Sequence, residues 1–264
     1  MEHTIKELKE LYIRGSKFYD DNYCFPFKNL GLFNEIQFKT YYDYFTKTLL
    51  IAWESSRPNK VHKNFKFEID WFFNLFAVPS KLIETETKDN PIVSNFMEGF
   101  KTHSGFTLAF LSVINDINYE IQECLKHNDV EHIIIYGWSQ GGVLSIMNHL
   151  WIKTIIENTE YENIDIQTFT IGTPKFIYRR LFYIFNKRKE WKKISKKLNG
   201  VHMFANRNDI FSKLPFRWMG FINPMKITKL DAPFNIFKIW HPWTYHIKDR
   251  YDKLVEEWFD KQIK

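Results

Sequence analysis

The segment HIIIYGWSQGGVLSI, residues 132–146, restricts the fold of this chain more than any other part of the sequence. Its first five residues form a short apolar run typical of a buried strand, and apolar side chains from Val143 onward recur at helical spacing. Between them lies GWSQG, residues 137–141, where a strand must turn into a helix. Glycines suit such a turn because a side chain resists its backbone angles and the close approach of helix and strand.

This order of strand, turn and helix is the one that a nucleophile elbow requires. In an elbow the central serine, here Ser139, holds its hydroxyl at the carboxyl end of the sheet and at the positive end of the following helix. A serine hydroxyl needs a base to take its proton, so an acid and then a histidine are expected later in the chain. The pattern alone also fits a glycine-rich turn with an incidental serine.

Candidates for both partners follow in that order. Asp209 comes just after the apolar run at 201–205, where a carboxylate could reach a histidine, although a turn or helix-capping role fits its surroundings equally well. Two histidines, His241 and His246, come after the last apolar run, residues 234–240. Position alone leaves both open as the base.

Short apolar runs alternate with helical patterns along the chain, which indicates a mostly parallel sheet with helices on both faces. The predicted strands are residues 49–53, 65–69, 132–136, 164–171, 201–205 and 234–240. The predicted helices are residues 3–14, 35–48, 143–156 and 249–262, with another inside 102–128. No repeat or Gly/Ser linker divides the sequence. We therefore expect a single domain over 1–264, with an N-terminal helical extension over 1–48 and a core over 49–256.

The composition excludes several classes of protein. With 264 residues, 44% of them hydrophobic, the chain can fill a sizeable core and is not expected to be disordered. Cys24 and Cys124 stand apart without metal-ligand spacing, so buried free thiols are expected, with a disulfide as the alternative, and there is no zinc signature. Neither a metal nor an organic cofactor is expected. The N-terminus lacks an apolar signal core, and no run of eighteen apolar residues occurs. A cytoplasmic or peripheral membrane location is therefore expected.

The net charge of +6 favours anionic partners. Residues 175–197 carry ten Lys or Arg against one Glu, with aromatic side chains between them. Such a stretch could lie on an anionic membrane surface, or it could be a helix whose basic face is only solvated. No motif that reads nucleic acid accompanies it, so specific nucleic-acid binding is not expected.

Several motifs in a fixed order resemble the class 3 lipases of the α/β-hydrolase superfamily, over roughly residues 49–256. The similar pieces are LLIAWESS (49–56), IDWFFNL (69–75), THSGF (102–106), GWSQGG (137–142), TFTIGTPKF (168–176), NDIFSKLP (208–215) and HIKDRYDKL (246–254). The resemblance implies an α/β-hydrolase fold, with Ser139 as the nucleophile and Asp209 as the orienting acid. It also favours His246 over His241 as the base, through the terminal element His-x4-Tyr-x2-Leu.

The chain departs from this family at the oxyanion turn and at the elbow. The family's turn usually ends in Arg-Gly-Ser or Arg-Gly-Thr, whereas residues 54–56 read Glu-Ser-Ser. Ser56 takes the place of the hydroxyl-bearing oxyanion donor, with Ser55 as an alternative, and the backbone N–H of Gln140 would supply the second hydrogen bond. The elbow carries Trp138 and Gln140 where the family usually shows His and Leu.

The sequence therefore predicts a serine hydrolase acting on carboxylic esters of lipids through an acyl-enzyme: a lipase, phospholipase or carboxylesterase. Thioester hydrolysis or acyl transfer at the same site, and a catalytically silent membrane-surface protein, are the alternatives. Two aromatic stretches could touch lipid. Residues 70–83 fall where the family's lid tends to lie, although core packing explains them equally well, and residues 215–225 are expected near the same rim.

Overall fold

The structure of the protein, a computed structural model, describes residues 2–22, 24, 28–30, 36–55, 79–80, 100–178, 188–232 and 245–264. The helices in these ranges are α1 (Ile5–Asp20), α2 (Ser104–His127), α3 (Gln140–Ile155), α4 (Arg188–Lys197) and α5 (Lys248–Ile263). The strands are β1 (Lys28–Leu30), β2 (Ile36–Asp43), β3 (Thr48–Trp53), β4 (Pro79–Ser80), β5 (Thr102–His103), β6 (His132–Trp138), β7 (Asp165–Ile171), β8 (Ile177–Tyr178), β9 (Val201–Asn206), β10 (Phe221–Ile222) and β11 (Thr228–Leu230).

Seven of these strands form the central sheet, in the order β1-β2-β3-β6-β7-β9-β11. The five strands from β3 to β11 run parallel, and β2 and β1 add an antiparallel edge beside β3. Because β3, β6, β7 and β9 share one direction, the loops that follow them meet at the carboxyl end of the sheet. That end is where ligands bind in open α/β sheets.

Both faces of the sheet are buried, which explains why its strands are continuous apolar runs. On one face α2 and α3 pack against alternate strand residues such as Ile51 and Ile135. On the other face α1 and α5 pack against the residues between them, such as Ala52 and Tyr136. This arrangement, a mostly parallel sheet with helices on both faces and an N-terminal helix, is the architecture predicted for an α/β-hydrolase fold.

A second, smaller sheet pairs very short strands in the order β10-β8-β5-β4. Its pairs are all antiparallel. β8 follows the end of β7 by six residues, and β10 follows the end of β9 by fifteen. This sheet fixes the loops that leave the carboxyl end of the central sheet, and the backbone N–H of His103 joins it to Phe176 O at 2.8 Å.

Most of the predicted elements in the described ranges are confirmed. The helix predicted over 3–14 overlaps the first part of α1, the helix predicted over 143–156 overlaps most of α3, and the closing helix lies within α5. The helix predicted over 35–48 is wrong, because residues 36–43 form β2. Six residues of β2 pair with β3, and this long-range pairing decides the conformation of a segment rich in Phe, Thr and Tyr.

Some sequence predictions concern residues beyond the described ranges. The strands at 65–69 and 234–240 are among them. The division into an extension over 1–48 and a core over 49–256 stays a prediction. Cys24 and Cys124 are both free thiols, as expected, but the prediction that they are buried is wrong, because Cys24 is exposed and Cys124 is half-buried. Within the described ranges, no helix has both the length and the apolar character needed to cross a membrane.

Candidate active site

Ser139 occupies the turn between β6 and α3, and its backbone is strained. Its φ of 56° and ψ of −121° lie outside the regions that residues with a side chain ordinarily adopt. The backbone N–H of Ser139 donates to Ile171 O of β7 at 2.9 Å, and Gly142 N–H donates to Ser139 O at 3.0 Å. These bonds hold the turn in place, and such strain persists only where the surroundings enforce it.

Two glycines next to the serine allow the helix to approach the sheet. A Cβ atom on Gly137 would overlap the backbone carbonyl of Gly141 and the Oγ atom of Ser145. A Cβ atom on Gly141 would overlap the carbonyl of Trp53 and come within 2.8 Å of Glu54 O. The first turn of α3 therefore lies against β6 and β3 at a distance that admits only a hydrogen atom at either position.

The structure brings Ser139, His246 and Asp209 into one hydrogen-bonded chain. Ser139 Oγ lies 2.7 Å from Nε2 of His246, and Nδ1 of the same ring lies 2.6 Å from Oδ2 of Asp209. An ionised carboxylate can only accept, so Nδ1 carries the ring proton and Nε2 accepts from the serine hydroxyl. This is the arrangement in which an imidazole can take the proton of a nucleophile.

Asp209 is fully buried, and its carboxylate receives hydrogen bonds on both oxygens. Oδ1 accepts the backbone N–H of Phe211 at 2.8 Å, and Oδ2 accepts the hydroxyl of Tyr251 at 2.5 Å as well as His246. A buried carboxylate needs such donors, because removing its charge from water is unfavourable unless they replace the lost hydration.

Tyr251 is a part of the site to which the sequence assigned no role. It lies in α5, five residues after His246, and its hydroxyl also accepts the backbone N–H of Asn206 at 3.0 Å. Burial, and next the charge of Asp209, raise the pKa of Tyr251 well above its usual value, so the hydroxyl stays protonated and acts as a donor. The sequence signal for it is the tyrosine of the terminal element His-x4-Tyr-x2-Leu, five residues after the histidine.

Aromatic rings enclose the His246 imidazole. The centroid of Phe211 lies 4.8 Å from that of His246, and the centroid of Trp138 lies 5.5 Å away at an interplanar angle of 38°. Trp138 is the residue that stands where the class 3 lipase pattern has histidine. Its position gives a physical reason for this departure, since the indole ring packs on the imidazole and limits its movement.

Of the two oxyanion residues expected from the sequence, only Gln140 lies within the described ranges. Gln140 is the first residue of α3, so its backbone N–H lies at the positive end of that helix. Ser56 lies outside the described residues. The alternative, Ser55, is buried, and its backbone N–H donates to the hydroxyl of Tyr19 at 3.3 Å.

Other predicted residues lie wholly or partly beyond the described ranges. His241 is outside them, as are residues 70–83 except for 79–80, whose backbone forms β4. Of the basic stretch 175–197, α4 is described, and the carbonyl of Lys197 accepts Nε2 of His149 at 2.9 Å. His149 lies near the end of α3 that is remote from Ser139. The last residues of α4 therefore lie toward the amino end of the sheet.

The comparisons with known proteins bear on the family and the fold of the chain. The family model described as Lipase (class 3) matches residues 68–219, which is more than half of the chain and includes Ser139 and Asp209. No curated protein matches the chain by sequence.

Several solved structures are similar to the chain. The triacylglyceride lipase of Rhizomucor miehei is 17% identical with a TM-score of 0.57, over 87% of this chain and 81% of that one. A lipase from Rhizopus microsporus var. chinensis is 14% identical with a TM-score of 0.58, over 88% and 75%. Lipase II from Rhizopus niveus is 14% identical with a TM-score of 0.54, over 86% and 80%. At such low identity these likenesses show the fold.

A nucleophile elbow at the carboxyl end of a mostly parallel sheet, with helices on both faces, defines the α/β-hydrolase class. The chain belongs to the class 3 lipase family, as the sequence motifs indicated. Members of this family are carboxylic ester hydrolases, and the chain is one accordingly.

Proposed function

We propose that the protein hydrolyses carboxylic esters of lipids with Ser139 as the nucleophile, His246 as the general base and Asp209 as the orienting acid. The observation that supports this most is the hydrogen-bonded chain from Ser139 Oγ through both nitrogens of His246 to a buried carboxylate. Lipase, phospholipase and carboxylesterase activities all use this chemistry, and the substrate class proposed is the ester of a fatty acid.

In the proposed reaction, Ser139 Oγ attacks the ester carbonyl carbon while its proton passes to Nε2 of His246. Asp209 then faces a charged imidazolium and stabilises it. When the tetrahedral intermediate collapses, the bond to the alcohol oxygen breaks and Nε2 returns the proton to that oxygen. Water, deprotonated by the same nitrogen, next attacks the acyl carbon and releases the acid, which restores the Ser139 hydroxyl.

The negative charge on the carbonyl oxygen would be stabilised by the backbone N–H of Gln140 and by Ser56. The place of Gln140 at the start of α3 supports the first donor. For the second, we propose the hydroxyl of Ser56, with the hydroxyl of Ser55 as the alternative; the backbone N–H of Ser55 already donates to Tyr19. The Ser56→Ala variant should lose kcat by about 10²-fold with little change in KM. An equal or larger loss in Ser55→Ala would reverse this assignment.

The nucleophile is tested by covalent labelling with a fluorophosphonate probe and by hydrolysis of a short p-nitrophenyl ester. The wild-type protein should be labelled, and Ser139→Ala should show neither labelling nor turnover. Ser112→Ala is the matched control and should behave like the wild type, because this serine lies on α2 and its hydroxyl donates to Ala109 O. Labelling that persists in Ser139→Ala would refute the assignment.

The base is tested by comparing His246→Ala with His241→Ala. Loss of His246 should lower kcat by several orders of magnitude, because the serine then has no group to take its proton. His241→Ala should retain most of its activity. The exposed His127 on α2 serves as a control for the loss of an imidazole. Near-full activity in His246→Ala would transfer the role to His241.

A further inference from the structure

Four exposed apolar side chains lie next to or shortly after Asp209 and His246 in the chain. Ile210 directly follows Asp209 in the chain and is 41% exposed, and Ile247 directly follows His246 and is 48% exposed. A few residues further on, Phe216 is 40% exposed and Trp218 is 83% exposed. We call these four residues, together with the exposed Lys213 and Arg217, the rim patch.

The aromatic part of the rim patch is held rigidly rather than folded back onto the core. The rings of Phe216 and Trp218 are stacked, with centroids 6.2 Å apart and an interplanar angle of 12°. Residues 217–219 form a turn of 3₁₀ helix closed by a bond from Gly220 N–H to Arg217 O at 2.9 Å. The next residue, Phe221, is fully buried in β10 of the small sheet.

Lys175 forms hydrogen bonds to the chain just before Phe216 and so holds the loop that carries Phe216 and Trp218. Its backbone N–H donates to Leu214 O at 2.7 Å, and its ammonium donates to the carbonyls of Lys213 and Pro215. The loop therefore keeps its exposed rings in place through bonds at both ends. A fixed, exposed aromatic pair needs a partner, since isolated soluble proteins seldom leave such apolar surface in water.

The loop that carries most of the rim patch has only positive charges. Residues 210–230 contain four Lys or Arg and no Asp or Glu. Among the residues that the structure describes, neither the Lys213 nor the Arg217 side chain forms a salt bridge. Burial, and next the charges of Lys213 and Arg217, lower the pKa of Lys175, which is consistent with a locally positive potential.

We propose that the rim patch is a preformed docking surface for an anionic lipid layer. Aromatic rings with neighbouring cations are suited to a membrane interface, where the rings enter the headgroup boundary and the cations meet lipid phosphates or carboxylates. Docking there would present the carboxyl end of the sheet, and with it Ser139, to esters held in the layer. The proposal deepens the proposed function and rests on it for the identity of the substrate.

The rim patch is a different surface from the basic stretch 175–197, which the sequence suggests as a membrane contact. Ser139 immediately precedes α3, and the carbonyl of Lys197 bonds to His149 ten residues further along. At about 1.5 Å per residue, the end of α4 is displaced by about 15 Å along α3 from the serine. The rim patch instead contains the immediate chain neighbours of Asp209 and His246.

The test measures sedimentation of the protein with large vesicles, in the Ser139→Ala background so that binding does not depend on catalysis. Vesicles of phosphatidylcholine that contain about 30% phosphatidylserine are compared with vesicles of phosphatidylcholine alone. We expect binding to the anionic vesicles that weakens with salt. The double variant Phe216→Ala/Trp218→Ala should lower the affinity by about tenfold or more, and Lys213→Gln/Arg217→Gln should lower it on anionic vesicles only.

Two matched variants serve as controls. Tyr44→Ala/Phe45→Ala removes another exposed aromatic pair, on the turn between β2 and β3 at the opposite end of the sheet, and should not change binding. Lys193→Gln/Lys196→Gln tests the basic helix α4. The proposal is overturned if the rim variants bind vesicles as the parent does, or if the α4 variant alone abolishes binding. If the rim variants bind vesicles with the affinity of the parent, the rim patch is assigned to a protein partner instead of a lipid layer.

Failure of the docking proposal can be told from failure of the proposed function. With Ser139 restored, Phe216→Ala/Trp218→Ala should hydrolyse a short water-soluble p-nitrophenyl ester at the parent rate, while its rate on the same ester chemistry presented in anionic vesicles should fall. If neither protein hydrolyses the soluble ester, the proposed function fails whatever the vesicles show. If the soluble ester is hydrolysed and vesicle rates are equal, only the docking proposal fails.

Discussion

The backbone strain at Ser139 leads to a prediction that separates its structural effect from its chemical one. A residue with a side chain in the conformation of Ser139, with φ 56° and ψ −121°, is less stable by about 1–3 kcal/mol than glycine would be in the same place. Substituting glycine should release that strain. Ser139→Gly should therefore be inactive and yet more stable to unfolding than Ser139→Ala, which keeps a Cβ atom and loses the same hydroxyl.

The magnitude follows from two opposing contributions. The strain released is about 2 kcal/mol at the centre of its range. The greater freedom of glycine in the unfolded chain offsets about 0.4–1 kcal/mol of it. The net difference between the two variants is then about 1–1.5 kcal/mol, which for a chain of this size corresponds to a rise in Tm of about 2–6 °C.

Urea unfolding at fixed pH, followed by far-UV circular dichroism, measures this difference, and scanning calorimetry gives Tm. Ser145, inside α3, provides a matched control because its backbone is helical. There glycine should be less stable than alanine by about 1 kcal/mol, which is the opposite sign. The reasoning about strain is refuted if Ser139→Gly is no more stable than Ser139→Ala while the Ser145 pair behaves as expected.

Three further predictions concern the surroundings of the site and the core. Tyr251→Phe should lower the free energy of unfolding by about 1–3 kcal/mol in urea titrations, because the buried Asp209 carboxylate loses a donor; an unchanged midpoint would contradict this. Trp138→Ala should lower kcat on a soluble ester by about 2- to 30-fold, because an aromatic ring against the proposed base stabilises its charged form. Trp138→Phe should keep most of the rate. Equal rates in the wild type and both variants would refute this prediction. Burial lowers the pKa of His149 to about 3 and the pKa of His202 to about 4, against an ordinary value near 6.5. Below pH 6.5 the unfolded chain therefore binds more protons than the folded chain. The free energy of unfolding should fall as the pH drops from about 6.5 toward 4. Each histidine contributes up to about 1.4 kcal/mol per pH unit, and a His202→Gln variant with an equally steep loss between pH 6 and 4.5 would contradict this assignment.

The local parts of the site follow from the sequence because they depend on neighbours in the chain. The apolar run before Gly137 and the helical spacing after Gly141 are enough to predict a strand, a sharp turn and a helix around Ser139. The order of serine, acid and histidine narrows the candidates to Asp209 and two histidines. Both inferences use periodicity and order, which a linear sequence contains in full.

The segment at 36–43 shows the opposite case. Its residues read as a helix when taken alone, yet they form β2, because hydrogen bonds to β3 and burial of Ile36 and Phe38 outweigh the local preference. Strand propensity depends strongly on such pairing, and a pattern of eight residues does not contain the partner. Only the sheet decides this element.

The contacts of the site were likewise decided by the tertiary structure. His246 meets Asp209 across 37 residues and Ser139 across 107, and the hydroxyl of Tyr251 reaches Asp209 across 42. The sequence by itself determined the elbow and the order of the candidates. Which atoms touch, and that Trp138 packs on His246, depends on parallel strands delivering distant loops to one end of a sheet, a geometry that exists only once long-range pairing has formed.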